Sequence, residues 1–560
     1  MSKKKSSNGA ATKRPEGVKV IPLSFRDQYN PIDKIRSLLF FVVRRRLDEG
    51  LMRRSLDRLI REHVPILGAR LETASSGPDG SGGSGGSGSG GGLEYHLPEK
   101  GFPEGYKLFE WSSETVGKTF AEAGVLPPTP AERKEEEETD AEKRKKKKKI
   151  VEFYPSVPEM EARWTPSSWP RERRQERPGC ALLLVHLTRY ADATVVSTNL
   201  PHAVSDQKGY AALVEAWIEV IKGLKPRPFL DLPPGALMGD LEIPVAEMKK
   251  RDPRGVYRIT SRKERARTAL GFALEVVTRP REVRRTLVLD EVLVSRLRDK
   301  FNREIAEGEE KQEGDGDGGG GGVKVTNGDV ITAILLKFGH LDRQKPKMIT
   351  HSAAVNLRGR HPSLPDSPSS VPYLHNAVTY LVARFPVSAS APRARDVARR
   401  NREATLEAVA PPRAERGLAV MREMARRGYM IHICEPGELS FALTNWCGAW
   451  RGIDFSAAVE GGGPPAVGDE GGGNAVNGGE GSGAVGDGEP VTPPEPEPAV
   501  PGAAPLVFGH SLERSQPLQR FNCQVMCKAD GGYWVDFSCS SKNMALIEAL
   551  LEKDPGLDTL

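Results

Sequence analysis

Four stretches of this 560-residue chain are built from residues that cannot make a core, and they decide how much of it can fold. Residues 75–92 are almost pure Gly and Ser. Residues 127–149 run from proline through acid to base and end in Lys143-Arg144-Lys145-Lys146-Lys147-Lys148-Lys149. Residues 308–322 are acidic and Gly-rich, and 461–501 are rich in Gly, Glu and Pro. None carries enough large apolar side chains to offset the entropy lost on ordering, so all four are expected to be disordered. Residues 1–17 are basic and polar and lack the apolar centre of a secretory signal. Roughly 440 residues remain, enough for two domains of ordinary size.

The charge, 81 Lys and Arg against 75 Asp and Glu, is modest and clustered. The lysine run closely follows Glu135-Glu136-Glu137-Glu138 and has no interleaved aromatics. It reads as a solvated loop, and no nucleic-acid partner is expected. Gly319 to Gly322 is followed by no Lys-Ser/Thr pair, which excludes a phosphate-binding loop. The six cysteines (Cys180, Cys434, Cys447, Cys523, Cys527, Cys539) form no CxxC pair and no zinc spacing, so they read as ordinary thiols and no metal is expected. No run approaches the ~20 apolar residues that span a bilayer; Leu38 to Val43 is strand-sized. A reduced, soluble, cytoplasmic protein with no membrane partner is expected.

The rest alternates between strand and helix periods. Leu51, Leu56, Leu59 and Ile60 share one side of a helix. Val330 to Phe338 is a Leu/Ile-rich helix with Asn327 or Asp329 as cap. Ala377 to Phe385 and Leu439 to Asn445 read as strands, and Arg395 to Met424 as helix broken at Pro411-Pro412. Gln524–Lys528 and Tyr533–Cys539 flank Asp530-Gly531-Gly532 as a hairpin, and Asn543 to Leu551 closes as a helix. The class is mixed α/β.

Within that pattern lies Leu200-Pro201-His202-Ala203-Val204-Ser205-Asp206. Alone, HxxxD is weak: with Asp at roughly 6% of positions, ten histidines produce one by chance in about half of such chains. Its setting adds weight. The apolar run Ala181–Leu187 and the β-rich run Thr194–Ser197 precede it, and Leu213, Trp217, Val220 and Ile221 follow at helical spacing. His202 therefore sits at a strand-to-helix junction, where a rigid scaffold can hold a reactive side chain. The plain alternative is a loop histidine satisfied by hydrogen bonds.

Several segments, in order, resemble the BAHD-type HxxxD acyltransferases, and especially the fungal branch that includes the trichothecene 3-O-acetyltransferases. Ile21-Pro22-Leu23-Ser24 is similar to the family's first strand. Leu51-Met52-Arg53-Arg54-Ser55-Leu56 through Pro65-Ile66-Leu67-Gly68-Ala69-Arg70-Leu71 is similar to its SLxxLLxxxPxLAGRL helix and turn. His202 and Asp206 match HxxxD. Thr326 to Ala333 resembles TNDALTA, and Val355-Asn356-Leu357-Arg358-Gly359-Arg360 with Asn376-Ala377-Val378 resembles VDLRxR…GNAV. Thr444-Asn445-Trp446 followed by Asp454-Phe455-Ser456 resembles TSW…DFGWG, and Gly531 to Val535 the penultimate strand. The chain departs from the pattern twice. Gln207 stands where the family usually has Gly after the aspartate, with Gly209 two further on, and DFGWG is cut to Asp454-Phe455-Ser456 before a long insert.

The resemblance implies a monomer of two chloramphenicol-acetyltransferase-like α/β lobes around a central channel. The expected boundaries are 18–230 for the N-terminal lobe, 231–270 for the crossover and 271–560 for the C-terminal lobe. It implies transfer of an acyl group from acyl-coenzyme A, the co-substrate, to a small-molecule acceptor, with no permanently bound cofactor. His202 would be the general base, since a neutral imidazole suits proton abstraction near pH 7. Asp206 would point away and pair with Arg358, holding the loop, with Asp454 as further support. Thr444 and Trp446 match positions lining the oxyanion site. The plain readings are a surface arginine at 358 and core packing for Trp446. Three other readings stay open: a condensation-type amide-forming enzyme, which usually has a doubled histidine where this chain has Pro201; an N-acyltransferase; and a binding protein that kept the fold without the chemistry.

Overall fold

The computed structural model describes residues 17–74, 92–124, 126, 151–233, 235–239, 242–251, 257–310, 323–365, 371–461, 502–512 and 520–560. The tail and the four low-complexity stretches lie outside the described residues, apart from Gly17, Gly92, residues 308–310 and Gly461. At 308 the expectation needs correcting. The helix Glu291–Glu310 carries on through Gly308, although glycine is a poor helix former.

In chain order the strands are β1 (Val18–Pro22), β2 (Arg36–Val43), β3 (Arg70–Thr73), β4 (Leu93–Pro98), β5 (Glu110–Thr115), β6 (Val151–Tyr154), β7 (Leu184–Arg189), β8 (Thr194–Pro201), β9 (Glu282–Asp290), β10 (Lys347–Asn356), β11 (Val378–Val387), β12 (Leu439–Asn445), β13 (Leu506–His510), β14 (Asn522–Ala529) and β15 (Gly532–Ser540). Three helices matter most for the site: α1 (Phe25–Gln28), α2 (Gln207–Ile221) and α3 (Asn327–Phe338). A five-stranded sheet has the order β13-β2-β8-β7-β5 and a seven-stranded sheet the order β11-β10-β12-β14-β15-β9-β6; β1, β4 and β3 form a small third sheet.

The apolar runs explain the layering. Every residue of β2 and of β8 is buried, as a strand covered on both faces requires. The five-stranded sheet and α2 build one core, which includes Leu39, Phe40, Leu213 and Trp217. The seven-stranded sheet packs a second core against α3 and the helices Glu291–Glu310 and Ala394–Val409. In β15 the period of two is visible directly. Tyr533, Val535, Phe537 and Cys539 enter the second core, whereas Trp534 points into the first. Its hairpin partner β14 is reached through Asp530 and Gly531, both at positive φ (50° and 74°), which closes the hairpin expected there.

The sheets also exchange strands. β6, from the first half of the chain, pairs with β9 at one edge of the seven-stranded sheet. β13, from the second half, pairs with β2 at one edge of the five-stranded sheet. At α3 the cap is Thr326 instead of Asn327 or Asp329. The Asp329 carboxylate sits at the third helical position and accepts from Thr326 N (2.8 Å) and Oγ1 (2.7 Å), a capping box. The ends of the Gly/Ser stretch are tied together, with Ala74 N donating to Gly92 O at 2.7 Å. Among the described residues no helix is long and apolar enough to cross a membrane.

Candidate active site

β8 runs to Pro201, opposite Arg36 of β2, and the next backbone N–H, that of His202, donates to Ile35 O at 3.0 Å. The chain then turns through buried Ala203, Val204 and Ser205 to Asp206, which caps α2 by accepting from Gly209 N at 2.9 Å. A strand end and a helix start thus fix His202 from both sides, as its position at a strand-to-helix junction implies.

The Asp206 carboxylate is fully engaged. Arg358 Nη1 donates to Oδ2 at 2.9 Å and Ala377 N donates to the same oxygen at 2.8 Å. Arg358 in turn donates to the carbonyls of His375 (2.6 Å) and Tyr373 (3.0 Å) and to Asn356 Oδ1 (3.0 Å). Burial favours the neutral acid, yet the guanidinium and the two backbone N–H groups outweigh it and hold the Asp206 carboxyl below its ordinary value. One carboxylate therefore joins the start of α2, the loop after β10 and the entry to β11. Both partners are buried enough that removing one strands a charge.

The two departures from the family pattern have local explanations. The glycine that this turn needs is Gly209: a Cβ there would lie 1.9 Å from Leu374 O. Gln207 has room for a side chain and donates through Nε2 to Ser511 Oγ at 2.6 Å, linking α2 to the residue just past β13. Asp454 accepts from Ser456 N (2.9 Å) and Oγ (2.7 Å) and so caps the short turn Ser456–Ala458. That turn buries Phe455 beside Phe41 and leaves Asp454 out of the cavity lining.

His202 opens on a cavity of about 410 Å³ between the two sheets. Its Nδ1 is buried and has no partner in another residue among the described ones. Burial pushes the ring below its ordinary value of 6.5; its own carbonyl, Asp206, Asp27 and Asn376 act in the opposite direction. The net shift is downward, so the ring is neutral at pH 7 and free to accept a proton.

Thr444, near the end of β12, and Trp446, just past it, line the same cavity. The Trp446 N–H donates to Val525 O at 2.8 Å, which continues the ladder and keeps both side chains on one face. Thr444 Oγ1 is buried with no partner among the described residues. His202, Thr444 and Trp446 are thus brought together, Asp206 and Arg358 stand behind the histidine, and Asp454 stands apart. None of the six cysteines lines the cavity, and burial raises every thiol, Cys447 to about 12, so no thiolate nucleophile is at hand.

Of Asp27, Tyr29, Asn376, Tyr380 and His432, further residues in and behind the lining, only Asn376, within Asn376-Ala377-Val378, carried a signal for the site in the sequence. Tyr29 and Tyr380 meet hydroxyl to hydroxyl at 2.8 Å, and His432 packs edge-on against Phe272. Asp27 on α1 holds Asn376 through N (3.1 Å) and Nδ2 (2.8 Å), and Asn376 Nδ2 reaches His202 O at 3.0 Å. Asp27, Tyr29, Tyr380 and His432 come from segments far apart in the chain and share no spacing that could have flagged them.

No family model matches the chain. It is 26% identical over 298 residues to a protein named Acetyltransferase adrJ of Penicillium rubens, covering 50% of this chain and 55% of that one. The protein of the same name from Penicillium roqueforti is 26% identical over 306 residues, with 51% and 57% covered. The chain thus spans little more than half the length of these curated relatives. Among solved structures, F. sporotrichioides TRI101 complexed with coenzyme A and T-2 superposes with a TM-score of 0.57 at 13% identity, over 95% of this chain and 98% of that one. F. graminearum TRI101 complexed with coenzyme A and deoxynivalenol gives 0.55 at 14%, over 95% and 97%. What is shared with them is the fold, two α/β lobes of the chloramphenicol-acetyltransferase kind.

Proposed function

We propose that this chain, a BAHD-like acyltransferase in fold, moves an acyl group from acyl-coenzyme A to a hydroxyl or amine of a small-molecule acceptor, with His202 as general base. One observation carries the reading: an imidazole held neutral by burial, with Nδ1 buried, lines the same inter-lobe cavity as the hydroxyl of Thr444, which has no partner among the described residues. The coenzyme A complexes of the TRI101 structures and the acetyltransferase relatives support the donor class.

The reaction needs no covalent acyl-enzyme. Nε2 of His202 takes the acceptor proton as the acceptor oxygen or nitrogen attacks the thioester carbonyl. The carbonyl π pair moves onto oxygen, and Thr444 Oγ1–H, with the Trp446 indole N–H, donates to that oxyanion. The C–O double bond re-forms, the C–S bond breaks, and the departing thiolate takes the proton from Nε2. The products are the acylated acceptor and free coenzyme A, and His202 returns to its neutral form. Asp206 and Arg358 act before the chemistry, by fixing the turn that carries His202. A cavity of this size suits a single small acceptor beside an acyl thioester.

The test is release of free coenzyme A from acetyl-CoA and longer acyl-CoAs against a panel of alcohols and amines, for wild type and His202→Ala. Acceptor-dependent release that collapses in the variant is expected. Release unchanged in His202→Ala would overturn the mechanism. Acyl-CoA binding with no turnover from any donor would favour a binding protein that kept the fold.

A further inference from the structure

We propose that Asp27 and Asn376 are positioning residues for His202, together fixing the proton on Nδ1 and stabilising the imidazolium formed during transfer. The inference rests on the reading of His202 as the base. It begins from what Asp206 cannot do. Both Asp206 oxygens are occupied by Gly209, Ala377 and Arg358, and its charge is balanced by the guanidinium. Asp206 favours the imidazolium, but its charge is shared with that guanidinium, and Asp27 is the second carboxylate that favours it.

Asp27 is 4% exposed and Asn376 2% exposed. Among the described residues Asp27 has no Lys, Arg or His in ion-pair contact. The neighbouring Arg26 is turned away to Ala236 O and the Tyr373 hydroxyl. Tyr29, Tyr95 and Tyr373 lie close enough to sense the Asp27 charge, and none of them is cationic. A buried carboxylate without a counter-ion is costly, and it is retained where a positive charge arises nearby. The cavity beside it supplies one, transiently, at His202.

The connection is specific in its atoms. Asp27 Oδ1 accepts from Asn376 N and Nδ2, which fixes the amide with its N–H toward the His202 carbonyl. That carbonyl is the strongest of the neighbours that favour a proton on the ring, ahead of Asp206, Asp27 and Asn376. Holding the carbonyl in place selects the Nδ1–H tautomer and leaves the Nε2 lone pair on the cavity side. The titratable groups around the ring are Asp27 and Tyr29 from α1 and the residue following it, Asp206 and Lys208 from the turn and α2, Tyr380 from β11, and His432 across the cavity. Of these, the two carboxylates favour the cation, and only Asp27 is free of a competing guanidinium.

The experiment uses the full chain carrying Asp27→Asn, Asn376→Ala and both, with His202→Ala as the assignment control. Two readouts are taken: pH profiles of coenzyme A release, and the pKa and tautomer of the His202 ring by nitrogen-15 NMR. Asp27→Asn is expected to lower kcat about ten- to a hundredfold, part of what the base itself supplies, with KM for acyl-CoA within about twofold. The His202 titration should move to lower pH. Asn376→Ala should also lower kcat and give a mixture of ring tautomers, and the double variant should lose little more than either single one. An unchanged ring pKa and tautomer, with activity lost only in proportion to folded protein, would overturn the proposal. If Asp27→Asn does not fold, Asn376→Ser keeps the carboxylate, breaks the link and carries the same two readouts. Should the wild type transfer no acyl group, the function reading fails, and the NMR arm still decides the positioning role.

Discussion

At the scale of single residues, the argument concerns which protonation state of His202 is present. Burial makes the cation harder to form, and neighbouring acceptors and carboxylates only partly offset this, so the ring's pKa lies below 6.5. As the proposed base, His202 must be neutral to work. The rate therefore rises as pH increases through that pKa and is lost as pH falls below it. The ascending limb of kcat/KM is expected to have its midpoint below 6.5, and a midpoint at or above 6.5 would contradict the electrostatics of the turn. Thr444, the proposed oxyanion donor, gives an independent check. Its hydroxyl is buried without a partner among the described residues, so replacing it by valine removes the proposed donor and breaks no hydrogen bond seen there. Thr444→Val is expected to lower kcat about 10²- to 10³-fold with little change in KM, measured by steady-state coenzyme A release. A rise in KM alone would mean that the hydroxyl binds the ground state.

At the scale of elements, the turn between β8 and α2 depends on one ion pair and one glycine. Removing Arg358 leaves Asp206 buried and unbalanced, and Arg358→Ala should destabilise the chain by about 3–5 kcal/mol, read from denaturant unfolding. Because the Asp206 pKa is lowered on folding, its contribution is present above the unfolded value of about 3.9 and fades as pH falls through the folded value. The stability gap between wild type and Arg358→Ala should therefore narrow in acid. Gly209→Ala forces a Cβ against Leu374 O and should cost about 1–3 kcal/mol, read from the same unfolding curves. These elements also divide what the sequence made legible from what it did not. The hairpin around Asp530-Gly531, the strand end before His202 and the break at Pro411 follow from local turn chemistry and period, and each appears where the residues imply it. The helix end beyond 308 and the Thr326 cap turn on contacts one residue either side of a plausible boundary, which periodicity does not resolve. The Asp27–Asn376 and Tyr29–Tyr380 contacts join residues more than 340 positions apart, and of the four only Asn376 lies in a recognisable motif. The pairing of Asp206 with Arg358 was accessible only through likeness to a family, because the two are 152 positions apart.

At the scale of the whole molecule, the strand exchange makes the two lobes interdependent, and this is testable without any substrate. β6 covers the edge of β9, and β13 covers the edge of β2. A chain divided before the helix Arg262–Thr278 would give each half a sheet that lacks one edge strand and carries the missing strand of the other. The first half would expose β2, an eight-residue strand with the sequence RSLLFFVV and no charge beyond Arg36 to discourage pairing with other chains. It would also lose Trp446, Trp450 and Phe455 from its core. The cavity would be lost as well, since His202 and Thr444 come from opposite halves. Each half expressed alone is therefore expected to aggregate, and the two expressed together to assemble into a soluble pair with His202 facing Thr444 again. The intact chain should unfold in one calorimetric transition, because neither sheet is complete without the other half of the chain. Two well-separated transitions, or a soluble and folded first half, would mean that the exchanged strands are dispensable and that each lobe stands by itself. A single transition would tie the stability of the lobes to the same contacts that close the cavity, so a substitution in β13, far from His202 in sequence, should lower the melting temperature and the fraction of assembled sites together.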